Sequence, residues 1–350
     1  MQFIKPGINI DFIGKRHIAF ILSGMMIILT IFLLVWRGGP NYGVDFSGGV
    51  LVQIKLDQKI SPSEIKKALI PVQLEDSIVQ EFGEAGQFEY LIRIRQTDVE
   101  LSGLSDRVEQ ALRSEFGKGV EIRRVEMVGP KVGDDLRQKA LFAIFYALLF
   151  IAIYISGRFE LKWLMSIIMA ISLAFVVYIT STFGVSVTWL ILVALIVTLT
   201  LCLFLNLKYA LGAIIALIHD VTITVGVFAL TDREISLSII AAFLTIVGYS
   251  LNDTIIVFDR IRENLRRFRR RPFEQTMNTS INETLSRTIL TSTTTLVVVL
   301  ALFILGGGVI HDFAFAMLVG IVVGTYSSIF VASPVLLIWE GKFGKRAKEK

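Results

Sequence analysis

The sequence predicts an α-helical polytopic membrane protein with eight transmembrane helices and one small α+β domain outside the bilayer. Three observations carry this. Apolar residues make up 54% of the 350-residue chain and charged residues only 19%, whereas soluble domains are about a quarter charged. The charges are clustered, leaving seven stretches of 18 or more residues with at most one charge each: 17–36, 140–157, 163–207, 209–231, 235–258, 288–311 and 313–339. A single polar block, 37–137, holds 14 Lys/Arg and 17 Asp/Glu. A span needs about 20 apolar residues, and seven such runs exclude both a soluble core and a disordered chain.

Residues 1–16 are expected on the cytoplasmic side, followed by a first span at 17–36. That span reads as a retained anchor, because no small-residue cleavage pattern closes it. The block 37–137 follows as the outer domain. In it, Val50–Leu56 alternates as a strand, and Ser61-Pro62-Ser63-Glu64 caps a helix running to about Leu69, with Ser at the N-cap, Pro at N1 and Glu at N3. Ser77–Phe82 and Tyr90–Arg95 are two more strands, Asp106–Phe116 an amphipathic helix, and Val120–Met127 a last strand. The order βαββαβ predicts a ferredoxin-like split βαβ fold.

A second span is expected at 138–157. The uncharged stretch 163–207 is 45 residues long and breaks at Thr180–Gly184, so it supplies a hairpin of two helices over 163–206. Further spans are expected at 209–231, at 235–257 with Asp253, at 286–305 with Arg287, and at 313–339. Basic residues set the orientation. Lys5, Lys15 and Arg16, the seven arginines of the 258–285 loop and the five basic residues of the 340–350 tail all fall on one side. Both termini are then cytoplasmic and the 37–137 domain faces outward, which means periplasmic in a two-membrane bacterium. The basic loop would also suit nucleic acid, but its place beside helix ends favours topology, and no nucleic-acid partner is expected.

Three charged residues lie inside apolar runs: Asp220, Asp253 and Arg287. A charge at mid-bilayer costs about 2.5–3.5 kcal/mol on insertion scales, so each is a functional candidate. Counted from the outer helix ends, Asp253 and Arg287 both lie roughly 27 Å down and Asp220 roughly 16 Å. Asp253 and Arg287 are thus placed to pair. Tyr249 and Asp253 share a helix face, as do Arg287, Thr291 and Thr295, and such faces suit a hydrated path. The other reading is a structural ion pair with Ser/Thr packing. Gly320, Gly324 and Ser328 form a small-residue stripe suited to helix packing. Three histidines and one cysteine, without ligand spacing, predict no metal site. No nucleophile, phosphate-loop or dinucleotide motif is present, so no enzyme activity and no cofactor are expected.

The run Gly248-Tyr249-Ser250-Leu251-Asn252-Asp253-Thr254, continuing through Asp259, Arg260, Arg262, Glu263 and Asn264, closely resembles the SecF family of the bacterial SecDF protein-export complex, related to the resistance-nodulation-division transporters. Tyr42-Gly43-Val44-Asp45-Phe46-Ser47-Gly48-Gly49, Gly157-Arg158-Phe159-Glu160, Ala213–Asp220, Arg287–Ser292 and Val331-Ala332-Ser333-Pro334 match as well. The resemblance implies an inner-membrane machine that uses the proton-motive force to assist late protein translocation. Its implied partners are SecD, the SecYEG channel and the translocating unfolded polypeptide. It also implies proton flow through Asp253 and Arg287, with Asp220, Asn252 and Thr291 as further candidates. A proton-coupled small-molecule efflux transporter of the same superfamily is the alternative. One departure stands out: the family plan has six helices, and here Leu161–Leu207 adds a hairpin between the Arg-Phe-Glu turn and the next helix.

Overall fold

The computed structural model describes residues 8–75, 77–82, 86–94, 103–117, 119–160, 163–182, 187–306 and 308–344. Helix α1 (Arg16–Trp36) leads through the short helix α2 (Val44–Ser47) into the outer domain. That domain runs β1 (Gly49–Leu56), α3 (Pro62–Ala68), β2 (Ile78–Phe82), β3 (Glu89–Ile94), α4 (Leu104–Phe116) and β4 (Val120–Val128). The four strands form one antiparallel sheet in the order β2-β3-β1-β4. Alternation decides its two faces. Val50, Val52, Ile54, Tyr90 and Ile92 turn to one side and bury against Ile65, Leu69, Val108 and Leu112 of the helical layer. Leu51, Gln53, Leu91, Arg124 and Glu126 turn the other way, toward the membrane helices. The capping box forms as the residues dictate: Ser61 Oγ accepts from Glu64 N–H, and the Glu64 carboxylate accepts from Ser61 N–H at 3.0 Å. Those bonds to Ser61 hold the Glu64 carboxyl below its ordinary value.

Among the described residues, six helices are long and apolar enough to cross a membrane. They are α1; α5 (Pro130–Ile155) with its π-helical extension Ser156–Glu160; α8 (Lys208–Leu230); α9 (Leu237–Arg267); α10 (Phe273–Leu305); and the continuous helical stretch Ile310–Lys342. The chain is therefore a multi-pass membrane protein. The last stretch comprises α11 (Gly308–Ser327), a π turn at Ser328–Ala332 and α12 (Ser333–Trp339). Pro334 lacks an N–H and cannot close the regular i→i−4 ladder there, which places the irregular turn beside it. Two shorter apolar helices, α6 (Trp163–Thr182) and α7 (Val187–Phe204), form a hairpin between α5 and α8.

Helix ends differ from the hydropathy boundaries in an instructive way. α5 begins at Pro130, two turns before the apolar run, because Gly129 breaks the preceding strand and Pro fits N1. α9 continues to Arg267 and α10 begins at Phe273. Most of the expected 258–285 loop is thus helix, and only 268–272 connects the two. Polar residues continue a helix readily once its apolar part is anchored.

α8 sits at the centre and packs on α1, α5, α7, α9 and α11. The small-residue stripe of α11 faces α9: a Cβ on Gly324 would lie 2.8 Å from Ser250 Cβ, and one on Gly320 would overlap Ile246. The α6–α7 hairpin packs against α5 and, through α7, α8.

Candidate functional site

Among the described residues two buried carboxyls, Asp220 and Asp253, lie within the spanning helices, and their surroundings differ. Asp220 of α8 is fully buried. Its Oδ1 lies 2.9 Å from His219 Nδ1, and its Oδ2 accepts from Ser250 Oγ of α9 at 2.5 Å and Ser327 Oγ of α11 at 2.8 Å. The network continues from His219 Nε2 to Ser23 Oγ of α1 at 3.0 Å and on to Tyr326 Oη at 3.1 Å. Tyr326 Oη ends the chain by donating to the Ala19 carbonyl at 2.9 Å. Four helices meet on this one cluster. With both oxygens bonded, the Asp220 carboxyl is a fully connected buried polar group.

Asp253 of α9 is 1% exposed and less well satisfied. Its Oδ2 accepts from Ser292 Oγ of α10 at 3.3 Å, and Ser292 in turn shares a 2.7 Å bond with Thr325 of α11. Its Oδ1 is buried and has no hydrogen-bond partner among the described residues. One turn outward on the same face, Tyr249 Oη donates to Thr295 Oγ1 at 3.3 Å.

The expected pairing of Asp253 with Arg287 does not form: among the described residues no ion pair joins them, and Arg287 is exposed. The reason is rotational. At this depth it is Ser292 and Thr288 of α10 that turn inward. Arg287 and Thr291 stand one residue earlier on each turn, about 100° round the helix. Thr291 Oγ1 is spent on the Arg287 carbonyl at 3.0 Å. Asn252 is exposed too, so Asn252 and Arg287 lie outside both clusters. Ser250 and Ser292 enter the sequence reading only as members of the resembling runs, and Ser23, Thr325, Ser327 and Tyr326 do not enter it. The sequence signal of the latter four is polarity inside apolar runs, which hydroxyls can satisfy on their own helix.

The motif at the connection between α9 and α10 acts as a staple. Arg158 of the π turn donates to Asp259 at 2.7 Å, and Arg262 donates to the Arg158 carbonyl at 3.1 Å. Arg260 bonds Glu263 and Glu283 at 2.7 and 2.6 Å, while Asn264, wholly buried, donates to Ser280 and Glu283 at 3.0 and 2.6 Å. The connection between α8 and α9 is tied to α11 by the same means: Arg233 pairs with Asp312 and covers the Phe315 ring.

The outer motif forms the joint between sheet and helices. Gly48 has φ +71°, and a side chain there would meet Pro130 at 3.0 Å, so glycine is required. Gly49 opens β1 at φ +121°. Phe46 is buried against α9 residues Ile239 and Phe243, and Gly133 of α5 fits against the Phe46 carbonyl. Gly43 N–H donates to the Ile235 carbonyl at 3.0 Å, and Ile235 N–H donates to the Asn41 carbonyl at 2.7 Å. Asp45 Oδ2 accepts from Leu237 N–H at 2.8 Å. Beside this joint lies a cleft of about 710 Å³ between the sheet and the 231–238 loop.

Comparison with known proteins places these features. The family model for the protein export membrane protein SecD/SecF, C-terminal, matches residues 107–200 and 180–342, and that for the SecD/SecF GG motif matches 38–60. The protein translocase subunit SecF of Magnetococcus marinus is 39% identical over 348 residues, covering 97% of this chain and 95% of the relative. That of Vibrio alginolyticus is 40% identical over 338 residues, covering 96% and 91%. The crystal structure of SecDF, a translocon-associated membrane protein from Thermus thermophilus, superposes with a TM-score of 0.71 at 30% identity. That match covers 98% of this chain and 40% of the SecDF chain.

Proposed function

The chain belongs to the SecF family of protein-export membrane proteins, and from that premise we propose that it uses the proton-motive force to assist late protein translocation across the bacterial inner membrane. Family membership makes it an accessory subunit of the Sec translocase. Its working partners in this reading are a SecD-like subunit, the SecYEG channel and the emerging unfolded polypeptide. The single observation that carries the proton role is Asp253, a buried carboxyl with one long hydrogen bond and one unpartnered oxygen. A proton can join that oxygen without breaking the Ser292 bond. Asp220 has no such vacancy, so it anchors helices while Asp253 exchanges. Arg287 and Asn252 supply the exposed approach at the same depth. Each proton crossing the field releases about 2.3 kcal/mol per 100 mV. The α6–α7 hairpin counts as two further spans, giving eight, with both termini cytoplasmic. The sheet order and the βαββαβ sequence favour a ferredoxin-like outer domain in the periplasm.

The efflux alternative calls for an apolar, aromatic cavity in the outer domain. The cleft beside the joint is instead walled in large part by charges, including Asp45, Glu81, Arg124, Glu126, Glu234 and Asp312. The test is Asp253→Asn in inverted vesicles containing the partner subunit and the channel. Proton-dependent export should fall to the level of vesicles lacking the protein. Export at the wild-type rate would remove Asp253 from the mechanism.

A further inference from the structure

The outer end of α9 is not capped by its own neighbours. Ser236 occupies the N-cap position, yet its side chain makes no capping bond and instead meets Ser238 Oγ at 2.8 Å. The first four N–H groups of a helix have no partner within it. Here the Leu237 N–H is taken by Asp45 Oδ2, 192 positions earlier in the chain. Asp45 belongs to α2, which packs on the start of α5. On either side of that bond the connection is reinforced. Tyr42 and Ile235 form a parallel backbone bridge, and Glu234 pairs with the buried Arg93 of β3. The outer sheet and the first turn of α9 are therefore joined through both backbone and side chains. From Leu237, α9 runs unbroken to Asp253, 16 residues or roughly 24 Å further on.

We infer that Asp45 is a positioning residue for α9: by capping this helix from the outer domain, it makes movement of that domain and movement of the Asp253 segment one event. The inference rests on the role given above to Asp253. A helix transmits axial displacement along its length because its hydrogen-bonded backbone is stiff. A joint at its first turn therefore reaches a side chain four turns away, and a loose joint does not. Among the described groups near the cap, Glu234 already pairs with Arg93, and Asp232 already pairs with Arg37. Neither replaces Asp45 at the Leu237 N–H.

Asn caps a helix as well as Asp does, whereas Ala does not, and this separates the cap from the charge. Asp45→Ala and Asp45→Asn are compared with wild type, as the full chain together with its partner subunit in membranes. Hydrogen exchange at the Leu237–Ile240 amides should be about fivefold faster in Asp45→Ala, the size of a lost cap, and unchanged in Asp45→Asn. Proton-dependent export should fall at least threefold in Asp45→Ala and be retained in Asp45→Asn. Unchanged exchange in Asp45→Ala, or faster exchange with export intact, overturns the inference. So does an Asp45→Asn that fails as Asp45→Ala does. Asp253→Asn is run alongside. If it exports normally, the proton reading falls, while the Asp45 pair still decides whether this joint serves export.

Discussion

Two aspartates equally buried in one membrane protein need not share a role, and their hydrogen bonds separate them. Asp220 holds His219, Ser250 and Ser327 together. Removing it leaves several buried polar groups unsatisfied, at about 1–3 kcal/mol each. Asp253 has one long bond to lose. Asp220→Ala should therefore destabilise the protein by about 3 kcal/mol or more. Asp253→Ala should cost only about 1 kcal/mol while abolishing proton-dependent export. Thermal unfolding in mild detergent, beside the export assay, checks both, and equal destabilisation by the two variants would dissolve the distinction. The sequence disclosed both carboxyls, because a lone charge in an apolar run is conspicuous. It did not disclose which had partners. Ser250, Ser292 and Ser327 look like any small residue of a membrane helix, and a face assigned by counting from Arg287 missed the inward-facing residues by one position, or about 100°.

Elements were legible where periodicity is strict. The outer strands show two-residue alternation and the Ser61–Glu64 cap is a local motif, so both could be read directly. The π turns at Ser156–Glu160 and Ser328–Ala332 have no such period and went unread. The first of them bears on the hairpin. Glu160 Oε1 accepts from Tyr209 N–H at 3.0 Å, so the two ends of the inserted segment are already in contact. Phe159 stacks on Tyr209 at 5.2 Å between centroids and meets Phe258 edge-on at 5.9 Å, a junction formed without any residue of α6 or α7. Helices in lipid gain little hydrophobic energy by packing together, so loss of the hairpin exposes α5 and α8 to lipid at small cost. Joining Glu160 directly to Lys208 should accordingly leave an assembled protein with export within about twofold of wild type. A complementation assay with quantified membrane levels tests this. Normal levels with lost export would instead make the hairpin a working surface.

At the scale of the whole molecule, the membrane region is unevenly finished. α8 is enclosed by its neighbours, whereas α10 packs on α9 and α11 and leaves a long face uncovered. That face carries Val297, Val298, Leu300 and Ile304, as apolar as lipid requires. Toward the 268–272 connection it also carries Arg287, Thr293 and Thr294, with Asn252 of α9 exposed at comparable depth. Lipid tails are a poor neighbour for such groups: a guanidinium within the hydrocarbon costs about 2.5–3.5 kcal/mol, and polar side chains at helix surfaces serve as glue between helices. The α6–α7 hairpin does not cover them, since it packs on α5 and α8. Composition and period gave no hint of this asymmetry, because which apolar helices meet is a property of tertiary packing. The covering surface in the proposed complex is then the membrane helices of the SecD-like subunit. The chain has one cysteine, the buried Cys202, so Cys202→Ser provides a clean background for site-directed crosslinking. A cysteine at Thr294 should crosslink to that subunit in native membranes, while one at Ile171 on the exposed side of α6 should label with lipid-soluble reagents and capture no subunit. The reverse pattern would move the partner to the hairpin and leave Arg287 facing lipid, an arrangement whose energetic cost argues against it.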